Sequence, residues 1–364
     1  MWAVRKAAGE EAKEIIKLFN LIYEIPKTND EYVWLYQNNP SGPSQVWLAI
    51  DKKTGITVSA RPICPWRMKI LDEELIVTQA GDALTHPDYR RRGIFTALVK
   101  ATWSDLREQG IPLTYSFSND GSLSVYRKVK IGPEKHTGCH EIGFLRRMVK
   151  PLQSEELLAN TFGKNSLSKH LGRLLDLLIG FLTESIAWDR SRPLTISEIR
   201  QFDYRFDLLW KRVSRCFTVI GVRDSTFLNW RYIDTPRRKH TVLSVEERGE
   251  VQGFAVFEVE QSTGSVKQAC LVEVFAIPDS GITRSLLTAV AKYCRERGVS
   301  RMIAWALEGS DYAKTLQRVG FIARRDRISF AVHIHTNVPY SAILLDSKNW
   351  FITLGDRDMV SVGS

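Results

Sequence analysis

The sequence predicts an α/β protein, of the mixed-sheet α+β kind, made of two tandem copies of one unit, each a twisted mixed β-sheet flanked by helices. Two observations predict it. The first is a strand pattern that runs through a glycine-bearing loop into a helix. Leu75 to Thr85 is rich in β-branched and apolar residues and stops at Pro87, which cannot donate to a sheet ladder. Phe95, Val99, Trp103 and Leu106 then recur at helical spacing, and Gly110 supplies the stop. The second is an internal repeat: Trp34, Tyr36 and Pro40 return as Trp230, Tyr232 and Pro236, 196 residues later (34 to 230). Pro87-Asp88 returns as Pro278-Asp279 and Lys128-Val129 as Arg318-Val319, at offsets of 191 and 190.

These landmarks divide the chain in order. At 364 residues it is long for one domain and comfortable for two. Residues 1–150 form the first unit, opening with an amphipathic helix pattern from Gly9 to Tyr23. Residues 151–192 are expected to be a helical linker. Its run from Leu167 is strongly apolar, but Arg173 and Asp176 interrupt it and it is too short to span a bilayer, so packing between the units is preferred to membrane contact. Residues 193–340 form the second unit. Residues 341–364 are a C-terminal tail, with an aromatic run before Gly355 and Asp358, of the kind that is usually mobile at a chain end but is also able to fold back over a cleft.

Composition narrows the class. Hydrophobic content of 44% and charged content of 25% are those of a globular protein. Met1 to Ala8 lacks the pattern of a secretory signal, so a cytoplasmic location is expected. Cys64, Cys139, Cys216, Cys270 and Cys294 are odd in number and without CxxC spacing, which points to packed or free thiols. His333 and His335 alternate on a strand-like run from Ile328 to His335 and read as strand-face residues; no metal is predicted. The net charge of +10 favours acidic partners without choosing among them. No basic segment has the aromatic interleaving of a nucleic-acid surface, and Arg237-Arg238-Lys239 and Arg324-Arg325 read as solvated strand edges.

The loop from Pro87 to Leu98 carries the chemistry. A strand that ends in a short glycine loop opens the next helix with unpaired amides, and those amides favour an anion. Gly93 has no Cβ to hold a phosphate off the backbone, while Arg90, Arg91 and Arg92 add three positive charges. This order of strand, Pro, Arg and Gly resembles motif A of the Gcn5-related N-acetyltransferases, with the Q/R-x-x-G-x-G/A pattern falling on Arg90, Arg91, Arg92, Gly93, Ile94 and Phe95. Phe95 departs from the Gly or Ala of the pattern. A second block agrees: Asn119, Tyr126 and the stretch between them resemble the family's Asn-x-x-Ala-x-x-Leu-Tyr, although Lys130-Ile131 replaces the usual Gly-Phe.

The resemblance implies an acyl-CoA-dependent N-acyltransferase, most simply an N-acetyltransferase, with acetyl-CoA as co-substrate and a small-molecule or peptide amine as acceptor. It implies that the loop and Thr96 hold the pyrophosphate and that amides near Leu84 and Thr85 hold the acyl carbonyl. It further implies that Asn119 contacts the pantetheine and that Tyr126 protonates the departing thiolate. A phenol of pKa about 10 suits a thiol near 8.5. For the base, Asp82 is the only carboxylate between Leu75 and Pro87; Gln79 is able only to orient water, and Glu141 lies on the later strand. The second copy resembles the same family in worn form: its loop from Pro278 to Gly281 has lost the arginines, and Leu316 stands where Tyr126 does. Two rivals remain, a Fem-type tRNA-dependent aminoacyl transferase and a non-catalytic acyl-CoA-binding module.

Overall fold

The computed structural model describes residues 1–8, 11–153, 192–237, 239–260 and 267–358. The helix expected over 151–192 therefore lies almost wholly outside the described residues. In the first half, β1 (Trp2–Lys6), β2 (Gln45–Asp51), β3 (Thr57–Ile70) and β4 (Glu73–Ala80) pair antiparallel in chain order. Short β5 (Leu84–Thr85) pairs back onto β3, and β6 (Leu113–Ser118) joins β4 in parallel. The second half repeats this: β8 (Leu194–Ile199), β10 (Thr241–Glu247), β11 (Glu250–Glu260) and β12 (Gln268–Ala276) pair antiparallel, and β13 (Arg301–Leu307) joins β12 in parallel.

The halves are joined by exchanging their last long strands. β14 (Ile322–Ile334), from the second half of the chain, lies between β6 and β7 (Gly138–Pro151), and β7 in turn pairs with β13. A single sheet thus runs from β1 to β8 through the exchanged pair. Helices cover it on both faces. On one face of the first half lie α1 (Ala12–Ile22) and α2 (Asn29–Tyr32), and on the other α3 (Ile94–Glu108) and α4 (Asp120–Lys128). The second half carries α5 (Tyr204–Val213), α6 (Ser225–Leu228), α7 (Ser280–Glu296) and α8 (Asp311–Arg318) in the same sequence of roles. Among the described residues no helix is long and apolar enough to cross a membrane.

The repeated aromatic motif meets itself at the junction. Trp34 and Trp230 stack with ring centroids 5.2 Å apart. Each indole donates to the other's carbonyl, Trp34 Nε1 to Trp230 O at 2.8 Å and Trp230 Nε1 to Trp34 O at 3.0 Å. Both sit in one-turn π-helices, Val33–Gln37 and Asn229–Ile233, the wider turn that frees a backbone carbonyl for such a bond. Around them lies one large core shared by both halves, including Trp66, Phe227, Phe254, Phe330 and Trp350.

Two local expectations change. The strand expected over Leu75–Thr85 breaks after Ala80, because Gly81 to Ala83 leave the ladder before β5 begins. The tail, through Asp358, is built into the core rather than loose: β15 (Trp350–Phe351) pairs with β9 (Val219–Gly221), and Asp356 is fully buried. The reason is charge pairing at long range. Arg223, itself buried, donates to Asp356 Oδ2 at 2.6 Å, and the Asp356 carbonyl accepts from Gln79 and Tyr115.

Candidate acyl-donor site

The parallel pairing of β4 with β6 ends at Ala80 opposite Ser116, and beyond it the break at 81–83 parts the two strands. The chain then turns through Pro87–Tyr89, where the His86 side chain accepts from Asp88 N at 3.2 Å. Two left-handed residues follow, Arg91 at φ 60° and Gly93 at φ 74°. A Cβ at Gly93 would meet nothing within 4 Å, so it is the backbone angle and the open approach, not packing, that call for glycine there. α3 starts at the next residue, and its first-turn amides at Ile94, Phe95 and Thr96 have no intrahelical acceptor.

These amides face a cleft of about 630 Å³. Of the residues singled out from the sequence, Thr85, Arg90, Arg91, Gly93, Ile94, Phe95, Thr96 and Asn119 line it. Arg90 Nε is held by the Thr85 carbonyl at 3.3 Å. Arg92 is turned aside, donating to the Asp88 carbonyl at 2.7 Å and lying over the Tyr89 ring. Asn119 caps α4, its Oδ1 accepting from Ser122 N at 2.9 Å. Leu84 is buried, and its carbonyl accepts from Ser59 Oγ. Tyr23, Tyr89 and Val125 are also among the lining residues and were not singled out from the sequence, since nothing local marks them. Burial, with Asp82 and Asp358 nearby, pushes the Tyr23 hydroxyl up to about 12. Tyr89 is fixed by donating to Asp51 Oδ2 at 2.6 Å.

The second half closes the equivalent helix end with its own side chain. Asp279 caps α7, accepting from Gly281 N at 2.8 Å and Ile282 N at 3.2 Å. Arg192 in turn pairs with Asp279 and with Glu247. A carboxylate already occupies the place an external anion would take.

Asp82 and Tyr126 do not line the cleft. Asp82 is buried on the other face of the sheet, where Lys27 Nζ and Tyr36 Oη both donate to its Oδ2, at 2.5 and 2.6 Å. This triad of cation, tyrosine and carboxylate recurs in the second half as Arg223, Tyr232 and Glu273, each spaced from its counterpart by the repeat offset. Burial, and then the neighbouring carboxylates, hold both tyrosines well above their usual pKa. Tyr126 is 3% exposed; its ring packs on His333 at 4.6 Å, Trp103 at 5.5 Å and Phe95 at 5.7 Å. Glu141 is engaged by Arg127 and Ser329, and Gln79 is buried with its Nε2 on the Asp356 carbonyl. The cysteines are free thiols. Burial pushes Cys64, Cys139 and Cys294 up to about 12, which leaves none of these three a ready thiolate.

The family model of the acetyltransferase (GNAT) domain matches residues 3–131. No curated protein matches the chain. Among solved structures, a GCN5-related N-acetyltransferase from Anabaena variabilis is similar with a TM-score of 0.64 at 12% identity, over 95% of this chain and 75% of that one. A conserved protein from Enterococcus faecalis, described as a probable N-acyltransferase, gives 0.62 at 13% identity, over 92% and 73%. N-myristoyltransferase from Saccharomyces cerevisiae, solved with bound myristoyl-CoA and inhibitors, gives 0.59 at 12% identity, over 92% and 80%. The likeness to the acetyltransferase (GNAT) domain thus falls on residues 3–131, and the fold of the whole chain, two joined mixed-sheet halves, is that of these solved structures.

Proposed function

We propose that this chain is an acyl-CoA-dependent N-acyltransferase whose donor site is the cleft of the first half. The observation that carries it is the asymmetry between two equivalent helix ends. The α3 end opens its amides, Gly93 and Arg90 to a cleft, whereas the α7 end is capped by Asp279. The pyrophosphate of the donor would rest on the amides of Ile94, Phe95 and Thr96, and Asn119 would meet the pantetheine. Backbone amides near Leu84 and Thr85 would hold the thioester carbonyl as its oxygen gains charge. The amine attacks this carbonyl carbon, a tetrahedral intermediate forms, and its collapse expels the CoA thiolate.

Protons move at both ends of that step. We assign the leaving-group proton to Tyr126, which packs behind Phe95 and would reach the sulfur only if the bound donor parts that ring contact. Asp82, the base expected from the sequence, is engaged by Lys27 and Tyr36 away from the cleft, so the amine proton would pass through water to Asp358, whose Oδ2 accepts from Asp82 N at 3.2 Å. Acetyl-CoA is the simplest donor, and a cytoplasmic location belongs to the same proposal. The second half, with its capped helix and Leu316 at the tyrosine position, would serve as the wall of the acceptor side. The test is acetyl-CoA binding by calorimetry, followed by CoA release across a panel of amino sugars, polyamines and peptide N-termini. Absence of any CoA binding would overturn the proposal. The burial of Tyr126 favours one second reading, an acyl-CoA-binding module; binding without acylation of any amine would establish that instead.

A further inference from the structure

Close to the proposed donor site lies a buried group of unpartnered side-chain nitrogens that the reaction above does not use. Arg61 on β3 is fully buried, and its Nε, Nη1 and Nη2 find no acceptor among the described residues. Trp103 Nε1, His333 Nδ1 and His335 Nδ1 are likewise without partners. They belong to one cluster. The guanidinium lies over the Tyr126 ring at 5.5 Å, Tyr126 packs on Trp103 and His333, and Trp103 packs on both histidines. The far nitrogens of the histidines are engaged by Ser116 and Thr114. Burial, with the Arg61 charge nearby, holds both imidazoles below their usual pKa and so neutral at pH 7. Arg107, which also reaches the His335 carbonyl, is paired with Glu134, whereas Arg61 has no such partner among the described residues.

A buried guanidinium without a carboxylate is expensive, and proteins seldom keep one unless something of opposite charge meets it. The register of β3 shows where such a group would come from. Ala60 pairs with Leu84 and Ile63 with Ala80, so Arg61 and Pro62 stand opposite the break at 81–83. The side chain of Arg61 points to the α4 side of the sheet, the side on which Phe95 and Val125 line the cleft. We propose that Arg61 receives a carboxylate carried by the far end of the donor's acyl group, so that the preferred donor is a CoA thioester of a short dicarboxylic acid. This rests on the donor site assigned above. A thioester carbonyl held at Leu84 and Thr85 would bring its acyl chain to the break that Arg61 stands opposite.

The test compares succinyl-CoA with butyryl-CoA, which has the same four-carbon chain without the acid, by calorimetry on the wild type and on Arg61→Met. Succinyl-CoA is expected to bind the wild type about tenfold or more tighter, as a charge-assisted pair requires, and to lose that advantage in Arg61→Met. Arg61→Met is expected to keep butyryl-CoA binding and to melt no lower than the wild type without ligand, since it removes an uncompensated charge. Wild-type protein that binds butyryl-CoA as tightly as succinyl-CoA would overturn the inference while leaving the donor site intact. That comparison needs no variant. Failure of both thioesters to bind would instead remove the donor site itself, and the inference with it.

Discussion

Replacing Gly93 by Asp separates the demands of the fold from those of the ligand. Gly93 stands at φ 74° with nothing within 4 Å of an added Cβ, so the folded state loses only the left-handed backbone term, ~1 kcal/mol. For a chain of this size that is about 2 °C in melting temperature. The ligand term is larger. A carboxylate about 4 Å from a phosphate charge, at an effective dielectric near 20, opposes it by ~4 kcal/mol, which screening by salt reduces to about a hundredfold in affinity. Asp279 already does this in the second half, where its carboxylate takes the amides of Gly281 and Ile282. Calorimetry with CoA and acetyl-CoA, beside a thermal melt of each protein, reads the two terms apart. An affinity for CoA that Gly93→Asp leaves unchanged would refute the assignment of the pyrophosphate to this helix end.

Four further expectations follow from the same geometry. Tyr126→Phe should lower turnover by two decades or more with little change in acyl-CoA affinity, a difference that single-turnover kinetics resolves; a large affinity loss with normal turnover counts against its role as acid. Lys27→Met strands the buried Asp82 carboxylate and should cost about 3–5 kcal/mol in urea unfolding, most of it recovered in Lys27→Met/Asp82→Asn. A cost below about 1 kcal/mol would mean that the triad is not a paired unit. Trp230→Ala removes a stacked ring and a reciprocal hydrogen bond where the halves meet, and should destabilise by about 3–5 kcal/mol; a smaller loss would show the junction to be held elsewhere. The neutral burial of His335, whose pKa falls to about 3, has a pH signature. The unfolded imidazole takes a proton near 6.5 and the folded one does not, so the contribution is complete above pH 6.5 and is lost as pH falls toward 3, with a slope of ~1.4 kcal/mol per unit. His335→Gln should flatten that slope in unfolding measured between pH 7 and 4.5; an unchanged slope would place the acid sensitivity in other groups.

Legibility in the sequence followed the range of the interaction. The unpaired helix amides at Ile94 to Thr96 and the open approach at Gly93 are set within a few residues, and composition and spacing exposed them. The repeat was legible as well, because Trp34 and Trp230 carry the same neighbours. What the residues around Asp82 could not show is that Lys27 and Tyr36 close on it from 55 and 46 positions away, which removes it from the cleft. Nor does spacing place Tyr126 behind Phe95, since a ring contact between two helices depends on how they pack.

By itself, then, the amino-acid order determined two mixed-sheet units, a phosphate-type loop in the first and its absence in the second, because periodicity, glycine angles and helix ends are local properties of the chain. Only the tertiary structure decided that β14 and β7 trade places between the halves, that the tail at Asp356 is core, and that Arg61 lies opposite the break after β4 with no carboxylate partner among the described residues. Strand neighbours and buried charge partners are chosen by the free energy of the whole packed assembly, in which residues hundreds of positions apart compete for the same contact.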